Sequence, residues 1–187
     1  MFASPIPRQG CGHAFQDTWV AFAQVWYRMP MHTIVLPPGA GETFRATPEG
    51  DHCTYKVVGQ DAGGRYALME YVVQPLVGTE PPPTHWHDTR EELWFILEGE
   101  LMMVAGHDTV EATPGTTVFV PRFVPHTFWV PGDKPVRFLT IFSPAGPEAI
   151  FKDRDRIIAD KGTITMEDLI ELGKTYGTYL NNPPGWK

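Results

Sequence analysis

Three histidines and one glutamate in this chain have the residue types and the spacing of a metal site. His85 and His87 are separated by one residue, Glu92 follows shortly after them, and His126 lies much later in the chain. Strand side chains alternate between two faces, so His85 and His87 should point to the same side, about 7 Å apart along the chain. Residues 88–91 permit a turn, after which Glu92 can open an antiparallel neighbour and lie beside the histidine pair.

These donor types define the chemistry of the predicted site. Neutral imidazole suits borderline ions, and a carboxylate adds hardness and negative charge. Four protein ligands on an octahedral ion would leave positions open for water, O₂ or a chelating substrate, and an open position separates a catalytic site from a structural one. We therefore predict one divalent transition metal ion (Fe, Ni, Mn, Co, Cu or Zn) bound by His85, His87, Glu92 and His126.

Short strands are needed to bring these ligands together, and the sequence between Thr33 and Pro144 has their character. Apolar, β-branched and aromatic runs alternate with turn signals such as Thr113-Pro114-Gly115. The clearest predicted strands are Thr33–Pro37, Thr54–Val58, Tyr66–Val73, Leu93–Glu98, Leu101–Ala105, Thr116–Val120, His126–Val130 and Val136–Ser143. Many short strands with frequent turns predict an all-β sandwich or barrel.

The two ends of the chain have helical patterns instead. In residues 1–32, four aromatic residues recur at helical spacing until Pro30, which ends the pattern. This helix could cover an open end of the barrel, build a dimer or act as a substrate lid. Helices are also predicted over Pro147–Asp160 and from a capping box at Thr165 through Tyr176, ending at Gly177. We expect the C-terminal helices to cover the outside of the barrel without a chemical role.

We therefore expect a single domain, with an N-terminal extension at 1–32, a barrel at 33–146 and a helical cover at 147–187. The formal net charge of −7 argues against binding to nucleic acid or anionic lipid. The first residues lack a basic segment followed by an apolar one, and no apolar run is long enough to span a membrane. These features predict a cytoplasmic protein. Cys11 and Cys53 match no metal-binding or redox spacing, which favours free thiols.

The two ligand-bearing segments resemble the paired motifs of the cupin superfamily, G(X)5HXH(X)3-4E(X)6G and G(X)5PXG(X)2H(X)3N. The positions at the family spacing are His85, His87, Glu92 and Gly99 in the first motif and Gly115, Pro121 and His126 in the second. Gly78 lies one residue further upstream than the first motif requires. In the second motif, Phe123 replaces a glycine and Val130 replaces an asparagine. The resemblance extends from about Thr33 to Phe151.

This resemblance implies a jelly-roll barrel, the double-stranded β-helix of cupins. The sequence is similar in particular to the small single-domain cupins grouped with quercetin 2,3-dioxygenases. This similarity implies a His-His-Glu-His centre in which Glu92 also acts as a catalytic base. Glu91 is the rival carboxylate, because it would satisfy the shorter form of the first motif. Glu92 is favoured because it leaves six residues before Gly99 and shares a strand face with Trp94 and Ile96.

The strand faces also predict the surroundings of the metal. Trp94 and Ile96 share the face of Glu92, and Phe128 and Val130 share that of His126, so these four residues should line an apolar substrate pocket. Leu93, Phe95 and Leu97 point the opposite way. Because a strand that is apolar on both faces must be covered twice, we predict a homodimer.

The leading functional hypothesis is a metal-dependent dioxygenase that acts, with O₂, on a hydroxylated aromatic or a related small chelating substrate. A non-redox isomerase, lyase or cyclase needs the same ligands, and a small-molecule-binding protein without turnover is a third possibility. The sequence contains no DNA-binding segment that would indicate a regulator. The identities of the metal and of the substrate are left open.

Overall fold

A computed structural model of the chain describes residues 33–75 and 81–186. The predicted N-terminal helix within 1–32 and Gly78 lie outside these residues. The described elements are β1 (Glu42–Arg45), β2 (His52–Val57), β3 (Ala67–Val73), β4 (Trp86–His87), β5 (Glu91–Glu98), β6 (Leu101–Ala105), β7 (Asp108–Ala112), β8 (Thr117–Val120), β9 (His126–Trp129), β10 (Val136–Ser143), a 3₁₀ turn (Pro147–Ala149), α1 (Ile150–Lys161), α2 (Met166–Tyr176) and β11 (Thr178–Tyr179).

The strands form antiparallel sheets, which confirms the prediction of an all-β protein. The largest sheet has the order β1-β2-β3-β10-β5-β8, a second has the order β7-β6-β9, and β11 pairs with β4. In the large sheet, β10 lies between β3 and β5, so that Phe138 is opposite both Tyr71 and Ile96. Strands that are distant in sequence are therefore neighbours at the centre of this sheet.

The hydrophobic core lies against the inner faces of these central strands. Burial alternates along β3 and β10 with the period of two expected of a strand that is buried on one face. Phe138 and Met69 are essentially inaccessible to solvent, as are Ile96 and Leu101. Burying each such side chain stabilises the fold by about 1.5–3 kcal/mol. The inner face of β5 also carries Glu92, one of the predicted metal ligands.

One predicted strand is wrong. The segment Thr33–Pro37 forms no strand and is exposed to solvent, with Val35 81% exposed. The edge strand of the large sheet, which pairs with β2, is instead β1, and only Phe44 is buried in it. β1 has too little apolar alternation to be recognised from sequence, and the polar strand β7 was missed for the same reason.

The two C-terminal helices confirm their predicted positions. α1 follows the 3₁₀ turn directly, and α2 begins at the predicted capping box. The backbone N–H of Asp168 donates to Thr165 Oγ1 at 3.2 Å, and the N–H of Thr165 donates to Asp168 Oδ2 at 3.0 Å. Such a cap is worth about 1 kcal/mol. Gly177 ends α2 in the left-handed conformation with φ 63°.

Neither helix combines the length and the apolar character that a membrane span requires, and this holds for the described residues as a whole.

Candidate metal centre

Strands β4 and β9 bring the three histidines together. The N–H of His85 donates to the carbonyl of His126 at 2.9 Å, and the reciprocal bond is 2.8 Å long. The ring of His85 lies 4.2 Å from that of His126 and 5.1 Å from that of His87, centroid to centroid. One nitrogen from each ring lies within 4.8 Å of the other two. The three histidines are thus positioned to bind a single metal ion.

The tautomer of His126 fits this role. Its Nδ1 lies 2.9 Å from the carbonyl oxygen of Val124. Because a carbonyl can only accept, Nδ1 carries the proton and Nε2 keeps a free lone pair. That Nε2 is buried and has no hydrogen-bond partner in the described part of the chain. A buried acceptor without a partner is unfavourable, so this nitrogen needs a ligand such as a metal ion.

The backbone before His126 is shaped by the residue that departs from the motif. Phe123 replaces the motif glycine and still adopts the left-handed conformation, with φ 64°. A non-glycine residue there costs about 1–2 kcal/mol. The N–H of Phe123 donates to the carbonyl of His87 at 2.8 Å, and its ring lies 5.6 Å from that of Trp86. These contacts stabilise the turn and join it to the strand that carries His87.

Glu92 points into the barrel and lies among the histidines. Its Oε1 is 2.8 Å from His87 Nε2, and its Oε2 is 3.8 Å from His126 Nε2. The indole N–H of Trp94 donates to Oε2 at 3.1 Å. Its neighbour Glu91 lies on the opposite face and forms an ion pair with Arg122 at 2.9 Å. Of the two rival carboxylates, Glu92 is therefore the one beside the imidazoles, and its ligation of a metal stays a prediction.

Arg90 is a member of the site that the sequence reasoning missed. Its guanidinium is buried and donates to Glu92 Oε1 at 3.2 Å, to Thr178 Oγ1 at 3.1 Å and to the Tyr176 carbonyl at 3.0 Å. It also lies 4.4 Å above the ring of Phe142. An arginine in a polar turn is usually solvated, so the sequence offered no signal that this side chain would turn inward.

Buried charge sets the protonation of the site. Burial opposes ionisation of Glu92, but His87, Arg90 and His126 outweigh burial and hold the pKa of its carboxyl well below the usual range. Burial, followed by the neighbouring imidazoles, holds the pKa of His85 well below 6.5. Burial also lowers the pKa of His126. An ionised carboxylate and neutral imidazoles are the forms that bind a metal.

The end of α2 anchors the loop that carries these groups. Thr178 pairs with His87, and Tyr179 pairs with Trp86 and stacks on its ring at 4.5 Å. A Cβ at Gly177 would lie 2.6 Å from Asp88 Oδ1, so a larger residue there would force this side chain to move. The C-terminal segment thus positions the histidine strand, which sequence reasoning did not anticipate when it assigned the helices no chemical role.

Two cavities that share wall residues lie beside the histidines. The inner cavity has a volume of about 110 Å³ and the outer one about 420 Å³, and both include His85, Tyr71 and Phe128 in their walls. Together they fall within the range of about 300–1,000 Å³ that is usual for ligand pockets. Trp94 and Phe138 add aromatic surface to the inner cavity.

The predicted pocket residues divide between these cavities. Trp94 and Phe128 line the inner cavity, while Phe128 and Val130 line the outer one. Ile96 is completely buried in the hydrophobic core and lines neither of them. Phe151 and Arg154 of α1 line the inner cavity, so this helix forms part of its wall. That finding corrects the expectation that α1 only covers the outside of the barrel.

Comparison with known proteins supports this architecture. Residues 71–142 match a family model described as "Cupin domain". An uncharacterized protein of Methanocaldococcus jannaschii is 33% identical over 82 residues, which is 44% of this chain and 63% of that protein. The matched region therefore spans less than two thirds of that relative's length.

Two solved structures share the fold. The polyketide cyclase RemF from Streptomyces resistomycificus superimposes with a TM-score of 0.50 at 24% identity, over 60% of this chain and 80% of RemF. KdgF from Halomonas sp. superimposes with a TM-score of 0.51 at 13% identity, over 62% of this chain and 98% of KdgF. At these identities the likeness concerns the fold alone, and it confirms the predicted jelly-roll barrel.

Proposed function

We propose that this protein, whose residues 71–142 match the cupin-domain model and whose fold is a jelly-roll barrel, is a metal-dependent dioxygenase. Its substrate would be a hydroxylated aromatic or a related small molecule that chelates the metal. The proposal rests above all on one observation: three imidazoles converge beside an aromatic cavity, and the buried Nε2 of His126 has no hydrogen-bond partner among the described residues. The donor set of three histidines and a carboxylate fits a divalent transition metal.

Each group of the site has a distinct task in this proposal. His85, His87 and His126 hold the ion, and Glu92 is the fourth ligand. A carboxylate can accept more than one bond at each oxygen, so the bonds from Arg90 and Trp94 to Glu92 are compatible with ligation. The bound metal would supply Lewis acidity and, if it is redox-active, a site for reaction with O₂.

Glu92 is also suited to receive the proton of a substrate hydroxyl. Its carboxyl is ionised beside the Arg90 guanidinium, and it lies on the wall of the inner cavity. Arg90 fixes the orientation of this carboxylate through its donor to Oε1. A base that is already ionised and oriented needs little rearrangement before proton transfer.

The inner cavity favours a flat, apolar substrate. Trp94, Phe128 and Phe138 provide aromatic surface, and their rings meet edge-on or tilted at 4.9–5.9 Å. A volume of about 110 Å³ suits a compact group such as one aromatic ring, and the outer cavity can take the rest of a longer molecule. These walls would also keep bulk water away from the metal.

Metal analysis followed by oxygen uptake tests the proposal. The purified protein should contain about one equivalent of a transition metal, and the variant His85→Ala should lose most of it. The control variant His107→Ala should keep it, because His107 is exposed and stacks on Trp186 instead. Oxygen uptake should then depend on one member of a panel of flavonols, catechols and β-diketones.

The outcome also separates the two kinds of metal chemistry. Conversion of a substrate without oxygen uptake would replace the dioxygenase by a Lewis-acid isomerase, lyase or cyclase that uses the same ligands. A protein that binds no metal, and whose His85→Ala variant is indistinguishable from it, would refute the metal-dependent function altogether.

A further inference from the structure

Arg154 of α1 has no counterion among the described residues, and its side chain lies in the walls of both cavities, as does that of His85. Its Nε is buried and has no hydrogen-bond partner in the described part of the chain. Its guanidinium carbon lies 5.9 Å from the centre of the Phe151 ring.

Several other described arginines with exposed side chains form ion pairs. Arg45 binds Asp155, Arg122 binds Glu91, and Arg156 binds Asp153. The acids on the wall of the outer cavity do not pair with Arg154. Glu49 forms no ion pair with a described residue, and Asp51 accepts the N–H of Gln74 at 2.7 Å. A partly buried guanidinium without an acceptor is unfavourable, so it should gain strongly from a bound anion.

Other donors in the same cavity also lack partners. Thr140 Oγ1 is buried and, within the described residues, has no hydrogen-bond partner. The Tyr71 side chain lines both cavities, and its hydroxyl forms no hydrogen bond with any described residue. The remaining wall is mostly aromatic. Arg90 also lines the inner cavity, but its acceptors are Glu92, Thr178 and the Tyr176 carbonyl. The guanidinium of Arg154 is therefore the one suited to bind a planar, singly charged group through two parallel bonds.

We propose that Arg154 binds the carboxylate of an aromatic organic acid whose hydroxyl groups face the metal. The inference rests on the proposed function, because it takes the metal to hold the other end of the same molecule. It narrows the substrate class from hydroxylated aromatics in general to hydroxylated aromatic acids. Arg154 then determines specificity, while the histidines and Glu92 are responsible for the chemistry.

A matched pair of ligands tests this assignment by binding alone. The probes are 3,4-dihydroxybenzoate and its neutral amide, 3,4-dihydroxybenzamide, titrated calorimetrically into Zn²⁺-loaded protein so that no oxygen chemistry intervenes. Both can chelate the metal through their hydroxyls, and only the first carries a remote carboxylate. We expect the protein to bind the acid at least about tenfold more tightly than the amide.

Two substitutions locate the source of that preference. Arg154→Met should weaken binding of the acid about 10- to 100-fold and change binding of the amide by less than about threefold. Arg154→Lys keeps the charge and should retain part of the preference. The control Arg156→Met, on the exposed side of the same helix, should leave both affinities unchanged.

Several results would overturn the inference. One is that the wild-type protein shows no preference for the acid over the amide. Another is that Arg154→Met weakens binding of both probes equally. A third is that Arg154→Met leaves the affinity for the acid unchanged. None of these results affects the proposed function, whose own tests are metal content and oxygen uptake. A protein that binds the amide and the acid equally but consumes oxygen would therefore keep its function and lose this subsite.

Discussion

Strand β5 presents similar residues to two very different environments. Glu92 and Trp94 point into the barrel and are 4% and 2% exposed, respectively. Glu91 and Phe95 are their immediate neighbours on the outer face, where Phe95 is 38% exposed. A carboxylate and an aromatic ring thus occur on each side of one strand. The chemistry of these residues therefore depends on which face of the sheet they occupy.

The partners on the two faces explain this difference. Inside, Glu92 meets His87, Arg90 and the Trp94 indole in an enclosed space where charges interact strongly. Outside, Glu91 meets Arg122, whose side chain is 50% exposed, so that water screens the pair. The cross-strand neighbours of the outer face are apolar as well, with Leu93 opposite Phe119 and Phe95 opposite Leu139.

Replacing the carboxylate on each face of β5 should give the largest difference in the free energy of unfolding. Glu92→Ala leaves the buried Arg90 without its counterion and should lower the free energy of unfolding by about 3–5 kcal/mol. Glu91→Ala removes an exposed pair and should cost less than about 1 kcal/mol. Urea denaturation of the metal-free proteins measures both values. Equal losses for the two variants would contradict the assignment of Arg90 and Glu92 as a buried pair.

The aromatic pair on the same strand should give the next largest difference. Trp94→Phe keeps a ring but removes the N–H that donates to Glu92 and leaves space in the core, so we expect a loss of about 1–3 kcal/mol. Phe95→Leu on the outer face should change stability by less than about 0.5 kcal/mol. The measurement is again the free energy of unfolding, and a larger effect at Phe95 would show that the outer face is covered more completely.

Acid should lower the free energy of unfolding through the buried histidines of the site. In the folded protein the pKa values of His85 and His126 lie below 6.5, chiefly because of burial. Below pH 6.5 the unfolded chain therefore binds more protons, and stability falls as the pH falls, with a slope of up to about 1.4 kcal/mol per pH unit for each histidine. The pKa of Glu92 is also depressed, so its own contribution is lost only below 4.5.

Equilibrium unfolding of the metal-free protein between about pH 7.5 and 5 measures this slope. In His85→Gln it should become shallower, because one group that titrates between the two states is gone. An unchanged slope in that variant would mean that His85 ionises as easily in the folded protein as in the unfolded chain.

The outer face should influence assembly more than folding. We predict that a second copy of the chain covers this apolar surface, on which Phe119 is 58% exposed and Phe95 lies nearby on β5. Phe119→Asp should then convert a dimer into a monomer in light scattering, while metal content and the free energy of unfolding of the subunit change little. A wild-type protein that is monomeric at micromolar concentration would contradict the prediction.

The positions that the sequence predicted well depend on local chemistry and on a periodic pattern. The apolar runs predicted β3, β5 and β10, the alternation along β5 predicted that Glu92 and Trp94 share a face, and Thr165 and Asp168 predicted the start of α2. These signals come from residues close in the chain. The first ligand motif placed His85 and His87 for the same reason, whereas His126 was placed by the resemblance of a separate segment to the second motif. Short polar strands such as β1 and β7 lack an apolar run and were not found.

Tertiary structure decided what surrounds those histidines. Arg90 is buried because the distant Tyr176 carbonyl, the Thr178 hydroxyl and Glu92 together offer it acceptors. Arg154 lines the cavities because α1 lies along their wall. No local pattern carries such information, since each environment is assembled from segments that are far apart in the chain. The sequence alone therefore identified the histidines that lie together in the candidate metal centre, and the folded barrel set their charge partners and the cavity they face.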